Sequence, residues 1–295
     1  MNKRVIITGG LGQLGWELRR TMPSHWEAWI TDIAEMDITD PESIAQAFRN
    51  FKPDLVINAA AYTAVDRAED EPELAFRVNC DGVANIAKQA RIYRCRVIHI
   101  STDFVFDGVS GIPYCPEDKP NPLGVYAKSK LAGEQALMEI YPEGSVIVRT
   151  AWLYSAHGNN FVKTMLKLFR QQQVVRVVSD QVGTPTWAFN LARFLWFLAD
   201  YDPATMTSRC YHFTDAGVAS WYDFAVAIEE ETRSWRDHPV EVVPILTKDY
   251  PTKAVRPHFS LLNKETTWNL WNEKPQHWRE ALRNMLRELY DYKEL

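Results

Sequence analysis

Cysteine is scarce. The chain of 295 residues has only Cys80, Cys95, Cys115 and Cys210, none in a C-x-x-C pair and none with a histidine at metal-ligand spacing. A disulfide scaffold is excluded, no metal site is legible, and four reduced thiols in a cytoplasmic protein are expected. Long hydrophobic runs are missing as well. Val5-Ile6-Ile7 passes through Thr8 into glycine and is too short for a signal peptide. Leu191–Ala199 is broken by Arg193 and is far shorter than a membrane span. Positive charge is not in excess: 33 Lys and Arg against 38 Asp and Glu leave −5, which argues against a nucleic-acid or anionic-membrane binder. Tryptophan is sparse early, since most of the 11 Trp and 12 Tyr follow residue 140. That skew predicts two halves with different jobs.

What is present is an ordinary globular mixture, 46% hydrophobic and 24% charged, long enough for two domains or one large one. The first half alternates two periods. Short β-branched runs recur at Val5–Thr8, Ala28–Thr31, Leu55–Ile57, Val97–Ile100 and Val146–Val148. Such runs suit parallel strands covered on both faces. Helical stretches separate them: Leu14–Thr21, Pro41–Phe51 with Asp40 as N-cap, Glu73–Tyr93 and Val125–Tyr141. Strand alternating with helix predicts an α/β fold, a Rossmann-like doubly wound parallel sheet, with a smaller C-terminal α/β unit. The second half is less regular. Helices are predicted over Phe161–Gln172, Trp187–Asp200, from Ser220 or Trp221 to Ser234, and over His277–Tyr292, with strands at Val174–Val178 and Tyr211–Phe213.

The first strand runs into Gly9-Gly10-Leu11-Gly12-Gln13-Leu14-Gly15 and then a helix. Gly9 allows a tight turn, Gly12 admits a pyrophosphate against backbone, and Gly15 lets helix and strand pack closely. The free N–H groups and the helix dipole then face the phosphates. Asp32 ends the second strand, where a carboxylate accepts from a ribose hydroxyl and repels a 2′-phosphate, favouring NADH. Asp37 and Ile38 can flank the adenine.

Tyr126 and Lys130 are four apart on one helix face. An ammonium and a cationic nicotinamide would stabilise the phenolate of a proton-transferring tyrosine. Ser101-Thr102-Asp103 ends the fourth strand, on the edge where such sheets place chemistry.

These residues resemble the extended short-chain dehydrogenase/reductase superfamily, and within it the dTDP-4-dehydrorhamnose reductase family. The resemblance covers nearly the whole chain. It rests on residues 8–15, 58–66 (NAAAYTAVD), 101–106 (STDFVF), 126–134 (YAKSKLAGE), 149–152 (RTAW), 158–161, 180–186 (DQVGTPT), Arg256-Pro257 and Ser260. It implies Thr102, Tyr126 and Lys130 as the catalytic set. Gly9, Gly12, Gln13, Leu14, Gly15, Asp32, Asp37, Ile38, Ala61, Tyr62 and Thr63 match cofactor contacts, with Tyr126 and Lys130. Thr102, Asp103, Trp152 and Arg256 match substrate contacts, Arg256 at the diphosphate. The sequence departs from the family at Phe104, usually Tyr, and Ala127, usually Gly.

The implied activity is NAD(P)H-dependent reduction of a 4-keto-6-deoxy nucleotide sugar. Asp32 favours NADH while the family is usually assigned NADPH. Some members bind Mg2+ at a dimer contact, but the sequence shows no metal cage. An epimerase or dehydratase of the superfamily and a regulatory subunit like that of methionine adenosyltransferase are the alternatives. The expected partner is a nucleotide sugar, with no nucleic acid or membrane, in a cytoplasmic monomer or homodimer. The expected division is a dinucleotide-binding unit over 1–155, rejoined by 186–216, and a substrate unit over 156–185 and 217–295. Trp187, Trp196, Trp221, Trp268, Trp271 and Trp278 are expected to serve packing.

Overall fold

The computed structural model describes residues 3–206 and 208–291. The apolar runs form β1 (Lys3–Thr8), β2 (Trp26–Ile30), β3 (Leu55–Asn58), β4 (Arg96–Thr102) and β5 (Ser145–Thr150). Together with the strand Cys210–His212 they make a six-stranded sheet, in the order Cys210–His212, β5, β4, β3, β1, β2. Every pairing in it is parallel. The helices are α1 (Gln13–Arg20), α2 (Pro41–Phe51), α3 (Val65–Ala68), α4 (Pro72–Phe76), α5 (Gly82–Tyr93), α6 (Val125–Ile140), α7 (Phe161–Gln171), α8 (Ala188–Asp200), α9 (Trp221–Thr232), α10 (Glu265–Leu270) and α11 (Trp278–Asp291).

Side chains alternate across the sheet and build one core on each face. Val5, Ile7, Leu55, Ile57 and Val148 pack against Leu14 and Leu18 of α1 and Leu191, Phe194 and Leu195 of α8. Ile6, Val56, Val97 and Ile147 pack against Phe48 of α2, Ile86 of α5 and Leu137 of α6. A third core joins α7, α9 and α11, beside the parallel pair Val174–Val178 and Glu241–Ile245. No helix among the described residues is long and apolar enough to cross a membrane.

Local chemistry sets the ends. The Asp40 carboxylate accepts from the Glu42 N–H at the start of α2, and Pro41 takes the first helical position. Ser220 and Asp223 form a capping box at α9. Several boundaries differ from the sequence pattern. The second strand lies at Trp26–Ile30, two residues early. Trp187 is extended and precedes α8. The strand expected at Tyr211–Phe213 is Cys210–His212, and the last helix starts at Trp278. Its expected final residue, Tyr292, lies outside the described residues. Glu73–Tyr93 is not one α-helix: a π-helical segment, Arg77–Asp81, separates α4 from α5.

The chain leaves β1 for β2 on one side and returns to β3 on the other, so strand order reverses between β1 and β3. Ligand crevices form outside the carboxyl ends of strands at such a switch point. Thr8, Asn58 and Thr102 end β1, β3 and β4 on that edge.

Candidate active site

A cleft of about 1050 Å³ opens there. It receives Gly9, Gly12, Gln13, Leu14 and Gly15, then Asp32, Asp37, Ile38, Ala61 and Thr63, and from the far wall Thr102, Asp103, Tyr126, Lys130 and Trp152. Sequence reasoning thus gathers nearly its whole site in one place. Tyr62 and Arg256 stand apart from this lining. The Tyr62 hydroxyl donates to Glu71 at 2.8 Å. Arg256 grips Asp66 with two hydrogen bonds, at 2.7 and 3.1 Å.

The glycine loop fits a dinucleotide. Gly9 has φ +67°, and a Cβ on it would sit 2.8 Å from the Ala60 nitrogen. A Cβ on Gly15 would sit 2.4 Å from the Gly9 carbonyl, so α1 can approach the loop only without one. No side chain caps α1 and no acid stands in its first turn, which leaves its N–H groups for an anion. Asp32 faces the cleft while its Oδ2 accepts the Leu11 N–H at 3.0 Å. It both fixes the loop and offers a carboxylate to a ribose.

The far wall holds the groups for proton transfer. Tyr126 is half-buried in α6 where it lines the cleft, and desolvation pushes its phenol up to about 12 although the Thr102 hydroxyl beside it pulls the other way. Its ring meets Phe104 edge-on at 6.0 Å. Burial brings the Lys130 ammonium down to about 8, opposed by Glu134. Lys130 Nζ donates to the Ile100 carbonyl at 2.7 Å. In the chain itself desolvation dominates, and the phenol keeps its proton. Burial also raises Asp103, to about 7. Its Oδ1 accepts from Thr102 at 3.1 Å, and the Ser260 hydroxyl lies beside the carboxylate.

Trp152 adopts φ +47°, a left-handed conformation rare for a bulky residue. Its ring stacks on Trp221 at 3.6 Å and 8°. Trp221, expected to serve packing, also lines the cleft. So do Leu74, Arg77 and Val78, which no sequence signal marked. They come from the junction of α4 with the π-helical segment. There Asn79 bridges the backbone of Tyr62 to the Ser129 hydroxyl, with bonds of 2.8 to 3.0 Å. Among the described residues no three His, Cys, Asp or Glu side chains converge as around a metal ion.

The sequence profile of the RmlD substrate-binding domain family matches residues 3–291. A dTDP-4-dehydrorhamnose reductase of Aggregatibacter actinomycetemcomitans is 40% identical over 290 residues, 96% of this chain and 98% of that protein. Its Escherichia coli K12 counterpart is 38% identical over 97% of this chain and 98% of its own. A crystal structure of the Bacillus anthracis dTDP-4-dehydrorhamnose reductase in complex with NADP superposes with a TM-score of 0.91 at 34% identity, covering 98% of this chain and 100% of that one. Profile, full-length identity and fold agree: the chain belongs to the RmlD substrate-binding domain family, that of the dTDP-4-dehydrorhamnose reductases.

Proposed function

We infer that the chain reduces the C4 keto group of dTDP-4-dehydrorhamnose to give dTDP-L-rhamnose, with NADH or NADPH as reductant. The observation that carries this reading is the convergence of Thr102, Tyr126 and Lys130 with the uncapped N-terminus of α1 in one cleft. The bound dihydronicotinamide supplies the hydride. The chain's own groups handle the proton. Tyr126, kept neutral by burial, donates to the C4 oxygen as charge develops there. The Thr102 hydroxyl, turned from Asp103, donates to the same oxygen, and the Lys130 ammonium favours the phenolate left behind. Trp152, stacked on Trp221, walls the sugar, and Asp103 meets its hydroxyls. Arg256 serves the diphosphate once it exchanges Asp66 for that anion.

Gly9, Gly12, Gln13, Leu14 and Gly15 hold the pyrophosphate; Asp32, Asp37 and Ile38 hold the adenosine; Ala61, Tyr62 and Thr63 close over the middle of the cofactor, Tyr62 by its backbone. In this reading the enzyme works in the cytoplasm, as a monomer or a homodimer. Residues 1–155 with 186–216 bind the dinucleotide, and 156–185 with 217–295 bind the sugar nucleotide. Tyr126→Phe tests the assignment. Turnover is expected to fall by about a hundredfold or more, with cofactor affinity retained, as for loss of a general acid. Normal turnover by that variant would remove Tyr126 from the mechanism.

A further inference from the structure

Tyr126 is the second residue of α6, so its phenol is placed only as firmly as the first turn of that helix. A helix start leaves backbone N–H groups without partners inside the helix. The usual partner is a serine, threonine, asparagine or aspartate side chain at the N-cap. Here the N-cap is Gly124, which has no side chain to offer, and no acid stands in the first turn of α6. The acceptor comes from another element. Glu69 follows directly on α3, 56 residues before Val125, and its Oε1 accepts the Val125 N–H at 2.8 Å. A carboxylate there also faces the positive end of the helix dipole.

The glycine fits that bond. A Cβ on Gly124 would sit 2.7 Å from Glu69 Oε1, too close for the carboxylate to stay where it is. The backbone of Glu69 is fixed in turn, its N–H bonded to the Asp66 carbonyl at 3.3 Å, and Ala68 before it is fully buried. Carboxylate and phenol ring are neighbours: Val65, Glu69, Phe104, Gly124 and Tyr126 line one void of about 10 Å³. On the far side of Tyr126 the helix is held from within, since the Ser129 hydroxyl donates to the Tyr126 carbonyl at 2.8 Å.

We propose that Glu69 is a positioning residue for the proton transfer: by capping α6 from the end of α3, it fixes the first turn and so the place of the Tyr126 phenol. Its effect on turnover rests on the reductase reading above; the bond itself is tested in the protein alone. The short helix α3 then serves both walls of the site. Asp66 holds Arg256 and the Ala254 N–H from the second half of the chain, at 2.7 and 3.1 Å, and Glu69 holds the helix that carries Tyr126.

Two variants separate the bond from the charge. Glu69→Leu removes the acceptor, whereas Glu69→Gln keeps an acceptor oxygen without the charge. In the protein alone, amide hydrogen exchange at Val125, followed by NMR, is expected to quicken by about tenfold or more in Glu69→Leu and by about threefold or less in Glu69→Gln. In turnover, kcat is expected to fall by about tenfold in Glu69→Leu, with KM and cofactor affinity unchanged, and to stay within about threefold of wild type in Glu69→Gln. Wild-type exchange or wild-type kcat in folded Glu69→Leu overturns the proposal, and so does a Glu69→Gln variant that behaves as Glu69→Leu. Should Glu69→Leu not fold, Gly124→Ala gives the second reading. Its Cβ displaces the carboxylate while Glu69 remains, so exchange and kcat should change as for Glu69→Leu, and unchanged values overturn the proposal. Failure of the reductase reading shows differently, as no turnover by the wild-type chain with the Val125 amide still protected through Glu69.

Discussion

Burial gives Tyr126 and Lys130 opposite tasks. It raises the phenol to about 12, so Tyr126 carries its proton throughout the neutral range and can donate it. It lowers the ammonium to about 8, so Lys130 is charged below that pH and neutral above it. If the charge is needed to favour the departing phenolate, kcat/KM falls as pH rises through about 8. The pH–rate profile checks this; a flat profile from pH 7 to about 10 contradicts it. Both residues were legible because a spacing of four, which puts them on one helix face, coincides with a glycine loop at the first strand and hydroxyls after the fourth. Trp221 was not legible. What brings it to the cleft is its stack on Trp152, and the left-handed backbone of Trp152 cannot be read from residue types. Arg256 shows the converse: the motif marks it, and only the fold reveals its bonds to Asp66.

Elements were legible where local chemistry decides them. Pro41–Phe51 and Val174–Val178 fall where proline, cap and β-branched residues put them. The π-helical segment Arg77–Asp81 was not, because packing against α6 accompanies it rather than any local propensity. Nor were the two-residue strands Leu153–Tyr154 and Thr186–Trp187, which exist only as partners of each other across the chain. Three glycines make the packing testable. Gly133→Ala would set a Cβ 2.0 Å from the Asn79 carbonyl, and Gly15→Ala one 2.4 Å from that of Gly9. Each should cost about 2–3 kcal/mol in denaturant unfolding, and Gly15→Ala should also weaken cofactor binding. Gly111, with nothing within 4 Å of its added Cβ, should tolerate alanine within about 0.5 kcal/mol.

Across the whole molecule, α1 is tied to the second half of the chain. Ser155 donates to Glu17 at 2.7 Å, Asn160 to Gln13 at 2.9 Å, and Arg20 bridges Glu17 to Glu288 of α11. Glu17 is fully buried, so Glu17→Ala leaves the Ser155 hydroxyl proton without its acceptor and Arg20 with Glu288 alone; a loss of about 2 kcal/mol in denaturant unfolding is expected. Close backbone packing excludes side chains at Gly9 and Gly15 in the first half, where an added Cβ would meet Ala60 and Gly9. The central claim is that in each turnover one hydride reaches C4 and one proton reaches its oxygen. It is tested most directly by mixing the purified chain with added NADH or NADPH and dTDP-4-dehydrorhamnose, following 340 nm absorbance and identifying the sugar by NMR, as befits an added reductant rather than a retained cofactor. The account predicts one cofactor oxidised for each dTDP-L-rhamnose formed, and none oxidised without the keto sugar. Conversion of the sugar without net oxidation of added cofactor would contradict it.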